Sequence, residues 1–194
     1  RLTTGVVDSV TNSIVMNPDA HSILYTGTRK GVYKTLNFGD TWFPMNSGLG
    51  ADSSNVTVVT IDEDNPDILY VGTSSGNVYR SDNAGGVWTN VSSVSASIED
   101  IKVDVSNPIE VYVATQDSGV FYSTDRGVSF SERNTDLTVP PLYLPLTVLS
   151  LAIDTSGPNS KVYAGTQNNG VFLYDVIDTT WTPINSGLTS GIIH

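Results

Sequence analysis

Apolar and polar residues alternate along this chain in short runs, and each run closes on a turn built from Gly, Asn, Asp or Pro. A two-residue period of this kind predicts strands with one face buried. The first runs are residues 13–16, 58–62, 98–104 and 148–154, followed by Pro18, Pro66, Pro108 and Pro158. Proline fixes φ and removes an N–H donor, so it ends a strand and turns the chain. Second runs, beginning with 23–28, are rich in the aromatic and β-branched residues that suit a pleated sheet. Polar, Gly-bearing loops then lead into third runs at 32–35, 78–81, 120–123 and 171–174. Those loops predict tight hairpins. No segment shows a helical period bounded by caps. The expected fold class is all-β.

The runs repeat. Tyr25-Thr26-Gly27-Thr28, Tyr70-Val71-Gly72-Thr73, Tyr112-Val113-Ala114-Thr115 and Tyr163-Ala164-Gly165-Thr166 are versions of one phrase, with steps of 45, 42 and 51 residues between their tyrosines. A period of this length marks a repeat architecture of small supersecondary units. Each phrase leads to a second one. Thr35-Leu36-Asn37-Phe38-Gly39-Asp40-Thr41-Trp42 is followed by a copy from Ser81 to Trp88, holding Asn83 and Gly85, and by one from Ser123 to Phe130, holding Asp125 and Gly127. The fourth copy, Tyr174 to Trp181, keeps only Trp181 and the threonine before it.

This pattern, Ser/Thr-x-Asp/Asn-x-Gly closing on an aromatic, resembles the Asp-box or BNR repeat of β-propeller blades. The resemblance implies a β-propeller of four-stranded antiparallel blades, about four of them in this chain. Approximate blades are 2–48, 49–91, 92–137 and 138–188, with 189–194 opening a further one. Leu2-Thr3-Thr4-Gly5-Val6-Val7 matches Leu188-Thr189-Ser190-Gly191-Ile192-Ile193, so the chain stops at the repeat phase in which it starts. The array is therefore expected to belong to a larger propeller, or to pair with another chain to complete a ring. The motif itself has a structural explanation. Asn37, Asn83 and Asp125 carry short side chains that accept hydrogen bonds from nearby N–H groups. Gly39, Gly85 and Gly127 permit backbone angles that a Cβ penalises. Trp42, Trp88, Phe130 and Trp181 bury a large apolar area between sheets.

Charge narrows the partners. Nine basic against 20 acidic residues give a net charge of −11, which argues against nucleic acid, since phosphate binding needs clustered Lys and Arg. No apolar run reaches the roughly 20 residues that span a bilayer, so no transmembrane helix is expected. The chain has no cysteine, which excludes disulfides and thiolate chemistry. Abundant Ser, Thr, Asn and Gly with sparse Lys and Glu point to an extracellular or cell-surface setting. Asn55-Val56-Thr57 and Asn90-Val91-Ser92 fit the glycosylation sequon. Asp62-Glu63-Asp64-Asn65-Pro66-Asp67 bunches oxygen ligands, yet it lacks the Gly and distal Glu of a calcium loop. His21 and His194 stand alone, and no cofactor is expected, with calcium at the Asp62–Asp67 turn kept as the alternative.

Propellers of this kind place ligands on the face made by second-to-third-strand loops. Here the resemblance points to Arg29, Lys30, Ser74, Ser75, Gln116, Asp117, Gln167, Asn168 and Asn169, whose amides and hydroxyls suit glycans. The Pro-rich link before the fourth repeat carries Leu142, Tyr143 and Leu144, a candidate partner loop. Families that share the repeat include sialidases, xyloglucan-cleaving glycosidases, sortilin-type receptors and a photosystem assembly factor. A sialidase needs an arginine triad, but Arg1, Arg29, Arg80, Arg126 and Arg133 fall at unrelated repeat phases. A glycosidase needs two carboxyl groups across the scissile bond, and only Asp117 lies in a favourable loop. The expected function is a non-catalytic extracellular binding or assembly module for protein or glycan, with self-association or further blades completing it. The alternative is a fragment of a secreted glycoside hydrolase acting on a β-glucan such as xyloglucan.

Overall fold

A computed structural model describes residues 5, 10–51, 55–138 and 144–188 of the chain. Leu142, Tyr143 and the matching end segments around Leu2 and Thr189 lie outside the described residues. Four antiparallel sheets of four strands make up the architecture, each ordered as the chain runs. The first blade is β1 (Thr11–Met16), β2 (Leu24–Thr28), β3 (Gly31–Thr35) and β4 (Phe43–Pro44). The second is β5 (Val56–Ile61), β6 (Leu69–Thr73), β7 (Asn77–Ser81) and β8 (Thr89–Ser93). The third is β9 (Ile98–Val103), β10 (Val111–Thr115), β11 (Gly119–Ser123) and β12 (Ser131–Glu132). The fourth is β13 (Val148–Asp154), β14 (Lys161–Thr166), β15 (Gly170–Asp175) and β16 (Thr180–Pro183). Among the described residues no helix is long and apolar enough to cross a membrane. The chain divides into two compact units, Arg1–Ile101 and Lys102–His194.

Within the first unit, one face of blade 2 packs on the opposing face of blade 1. Tyr25, Val32, Val56, Val59, Val71, Tyr79 and Trp88 form that core. In the second unit Tyr112, Val120, Leu137, Val148, Leu151, Phe172 and Trp181 form its counterpart. Each word of the Tyr-x-Gly-Thr phrase has a separate task in this packing. Tyr25, Tyr70 and Tyr112 are buried. Gly27 lets the next blade approach, because a Cβ there would sit 2.6 Å from Val56 Cγ1. The threonine hydroxyl closes the following hairpin: Thr28 donates to Gly31 O at 3.0 Å, and Thr115 and Thr166 donate to Gly119 O and Gly170 O at 2.8 Å.

The third-to-fourth-strand turns are clamped by two side chains. In the second blade Ser81 Oγ donates to Asn83 Oδ1 at 2.9 Å and accepts from Gly85 N at 3.0 Å. Asn83 Oδ1 also accepts from Val87 N at 2.8 Å. Thr35 with Asn37, and Ser123 with Asp125, repeat this arrangement. The residue before each glycine also takes a left-handed conformation, with φ of 57° at Phe38, 55° at Ala84 and 59° at Arg126. Such angles cost a residue with a Cβ about 1–2 kcal/mol, so the side-chain clamp must hold two left-handed residues in succession. Blade 4 departs because Tyr174 stands where Thr35, Ser81 and Ser123 stand in the register. A phenol cannot make that clamp. Instead Asp175 Oδ1 accepts from Ile177 N at 2.8 Å, and Thr179, with φ 57°, donates its N–H to Asp175 O.

Ionisation reinforces the third turn. Hydrogen bonds from Ser123 and then Ser129 lower the Asp125 carboxyl from 3.8 to about 2. A depressed folded-state value means that this carboxylate contributes stability above the ordinary carboxylate range and loses it as pH falls through about 2. A carbon-detected NMR titration of Asp125 should show a midpoint at about 2, and Ser129→Ala should raise it. An unchanged midpoint in Ser129→Ala would mean that the Ser129 hydroxyl bond is not made.

Candidate functional site

The second-to-third-strand hairpins gather the polar loops at one end of each blade. Their rigidity comes from an asparagine beyond the fourth strand. Asn46 Oδ1 accepts from Val32 N at 2.8 Å, Asn134 Oδ1 from Val120 N at 2.8 Å, and Asn185 Oδ1 from Val171 N at 2.7 Å. The same amides donate back to the loop, to Lys30 O at 3.3 Å, Ser118 O at 3.1 Å and Asn169 O at 3.0 Å. Gly31, Gly119 and Gly170 lie against these amides, and a Cβ at any of them would overlap the asparagine Oδ1. Blade 2 has no such asparagine. Its β8 continues to Ser93, and Val94 N donates to Gly76 O at 2.9 Å in compensation. Asn46 and Asn185 open Asn-Ser-Gly-Leu words and Asn134 an Asn-Thr-Asp-Leu word, but nothing in a single sequence says which loop they hold.

In the first unit the loops join into a ladder of amides and hydroxyls. Asn12 Nδ2 donates to Asn55 Oδ1 at 3.4 Å, and Asn55 Nδ2 donates to Ser74 Oγ at 2.9 Å. Asn77 Nδ2 donates to Ser75 Oγ at 3.0 Å. Asn90 Nδ2 and Ser93 Oγ both donate to Asn77 Oδ1, at 3.1 and 2.6 Å. Ser74 and Ser75 are thus brought together with Asn12, Asn55, Asn77, Asn90 and Ser93, residues that loop composition alone does not single out. Arg29 and Lys30 are exposed on the blade 1 hairpin of the same unit.

In the second unit Asp117, Gln116, Gln167 and Asn168 are exposed on their hairpins, and Asn169 is half-buried. Asp117 takes φ 59°, with its carboxylate accepting from Thr147 Oγ1 and its N–H donating to that hydroxyl at 3.1 Å. Thr147 also connects to Gln167, whose N–H donates to Thr147 O at 3.0 Å. Of the proposed partner loop the described part is Leu144, which is exposed, above a Thr138–Pro145 bridge flanked by buried Leu137 and Leu146. The turn residues Asn37, Asn83 and Asp125 lie at the opposite blade ends from the hairpins. Trp42, Trp88 and Trp181 are buried, and Phe130 is half-buried.

Two other places hold acidic groups. At the turn end of blade 4 a cleft of about 320 Å³ is lined by Asp154, Asp175, Lys161 and Ile177. The Ser156 hydroxyl and N–H, with Lys161, lower the Asp154 carboxyl. A glycosidase acid must be raised instead, so that it holds a proton to deliver. Tyr112 donates to Glu110 Oε2 at 2.8 Å. Burial first, then the Glu110 carboxylate, pushes this phenol up, so it stays protonated and serves as an anchor. Arg133 stacks 3.7 Å over the Tyr122 ring and donates to Tyr174 OH. Among the described residues no group of three His, Asp or Glu is placed to hold a metal. In the Asp62 cluster, Asp62 Oδ1 instead caps the turn, accepting from Asp64 N and Asn65 N at 3.0 and 3.2 Å.

Four-stranded antiparallel blades with hairpins at one end and clamped turns at the other define a β-propeller fold. Solved structures agree. An ancestral GH74 enzyme matches at 16% identity and a TM-score of 0.79, over 99% of this chain and 28% of that one. The GH74 xyloglucanase from Xanthomonas campestris matches at 16% identity and a TM-score of 0.73, over 93% of this chain and 31% of that one. YCF48 from Cyanidioschyzon merolae matches at 16% identity and a TM-score of 0.66, over 90% of this chain and 56% of that one. The chain thus spans less than a third of the length of the two GH74 proteins. No protein-family model matches the sequence, and no curated protein does.

Proposed function

We propose that the chain is a non-catalytic binding module of an extracellular or cell-surface protein, built on Asp-box blades, whose hairpin ends take hydroxyl-rich glycans. The ladder from Asn12 through Asn55 and Ser74, and from Ser75 through Asn77 to Asn90, carries this reading. It offers closely spaced donors and acceptors held in place by the strands beneath, which is what pairing with sugar hydroxyls requires. Hydrogen bonds without an aromatic platform give weak binding, on the order of millimolar per site. Xyloglucan, which gives the Xanthomonas enzyme its description, is the first polysaccharide to test. Protein partners are assigned to the separate Leu144 loop.

The second reading is a glycoside hydrolase fragment, favoured by the likeness to GH74 structures and by Asp117 on its hairpin. Reducing-sugar release separates the two. The purified chain should release none from xyloglucan, while an affinity-gel shift with the same polysaccharide is lost in Asn77→Ala. Turnover that disappears in Asp117→Asn would replace the binding reading with the hydrolase.

A further inference from the structure

The cations of this chain are few, and most are engaged by the protein itself. Lys34 Nζ donates to Ala84 O at 3.2 Å beside the Tyr25 ring, Arg80 pairs with Asp82, and Arg133 stacks on Tyr122. Arg29 and Lys30 differ. Their side chains are exposed at the tip of the β2–β3 hairpin and bond to no described group. The tip itself is held firmly. Thr28 Oγ1 accepts from Lys30 N and donates to Gly31 O, both at 3.0 Å, while Asn46 fixes Lys30 O and Val32 N. The other hairpin tips carry Ser74 and Ser75, Gln116 and Asp117, or Gln167 and Asn168, so positive charge at these tips is confined to blade 1.

The basic pair stands beside the amide ladder. Thr28 pairs with Thr11 across β1 and β2, and Asn12, next in the chain, leads to Asn55 and Ser74. Cross-strand neighbours are about 5 Å apart and successive residues about 3.3 Å, so the Arg29 backbone lies on the order of 10 Å from Asn12. The acids of the first unit do not cancel this charge. Asp19, Asp40, Glu63, Asp64, Asp67 and Asp82 are exposed in the turns at the opposite blade ends. A five-residue strand sets the two ends about 17 Å apart, twice the Debye length of about 8 Å at physiological salt. Glu99 and Asp100 open β9, beyond blade 2.

Resting on the reading of the hairpin ends as a glycan site, we infer that the ligand is a carboxylate-bearing glycan. Arg29 and Lys30 hold a uronic-acid group, and the ladder pairs with the hydroxyls around it. The arginine fork matches a planar carboxylate, and lysine adds a point charge. Two adjacent cations suit one carboxylate among many hydroxyls, whereas a nucleic acid needs a run of them.

Trigalacturonate and its fully methyl-esterified form share a backbone and differ in charge, which makes them the probes. NMR titration at low salt should give the acid a Kd about tenfold below that of the ester, the combined effect of two exposed ion pairs. At about 1 M salt, where the Debye length is about 3 Å, this preference should vanish. The double variant Arg29→Gln, Lys30→Gln should lose it as well, and unchanged thermal unfolding will show that the variant is folded. Lys161→Gln removes a charge from the second unit and should keep the wild-type preference, which separates a local contact from net charge. Equal affinity for acid and ester would overturn the inference, as would a preference that survives the double substitution or disappears in Lys161→Gln. Affinity-gel retardation by xyloglucan without an acid preference overturns the anionic assignment alone. Neither retardation nor binding of either probe overturns the glycan reading with it.

Discussion

Replacing Trp88 by alanine should lower the unfolding free energy by about 3–5 kcal/mol, the range for emptying a buried aromatic site. The ring is 2% exposed and lies in the core between the first two blades. Its indole N–H donates to Met45 O at 2.8 Å, and its main-chain N–H donates to Ser47 O at the same distance, so the residue staples blade 2 to the exit of blade 1. Truncation opens a cavity and removes the donor to Met45 O together. Trp88→Phe separates these effects. It refills most of the apolar space, and the remaining loss of about 1 kcal/mol reports the hydrogen bond. Trp181, which donates to Arg133 O at 2.7 Å, has the same place in the second unit and should give a comparable loss. Urea unfolding followed by far-ultraviolet circular dichroism measures both. A loss below about 1 kcal/mol for Trp88→Ala would remove the tryptophan from the centre of blade packing.

Gly170→Ala should destabilise the second unit by about 2–4 kcal/mol, through two effects that add. Alanine at φ 77° is in the left-handed region and costs about 1 kcal/mol or more. Its Cβ also overlaps Asn185 Oδ1 and expels the amide from its position. That leaves Val171 N and Asn169 O without the bonds that Asn185 supplies, at about 1–3 kcal/mol. The pair can be tested as a cycle. Asn185→Ala alone should cost about 1–3 kcal/mol, and adding Gly170→Ala to it should then cost only the backbone part, since the clash partner is gone. Full additivity in the double variant would contradict the clamp.

Much of the blade was legible in the sequence. Proline turns, alternating runs and the Tyr-x-Gly-Thr phrase mark strands by local chemistry, so β1, β5, β9 and β13 end close to their Asn-Pro or Gly-Pro turns. Three features were not legible, two of them because they depend on distance in space. Phe38, Ala84 and Arg126 share a left-handed conformation that no residue preference announces. Asn134 reaches a loop 16 positions earlier in the chain to bond Ser118 O. The ladder joins Asn12 to Asn55, 43 positions apart, through the packing of one blade on another. Loop composition pointed to Ser74 and Ser75 but passed over Asn77 and Asn90, because those asparagines lie within strands.

The central claim places ligand recognition at the hairpin ends. An isotope-labelled sample titrated with a neutral oligosaccharide, read by amide and Asn side-chain NMR shifts, tests it most directly. The account predicts saturable shifts at Asn12, Asn55, Ser74, Ser75, Asn77 and Asn90, with Asp154 and Lys161 unmoved. Shifts confined to the Asp154–Lys161 cleft, or none at millimolar-range ligand, would contradict it.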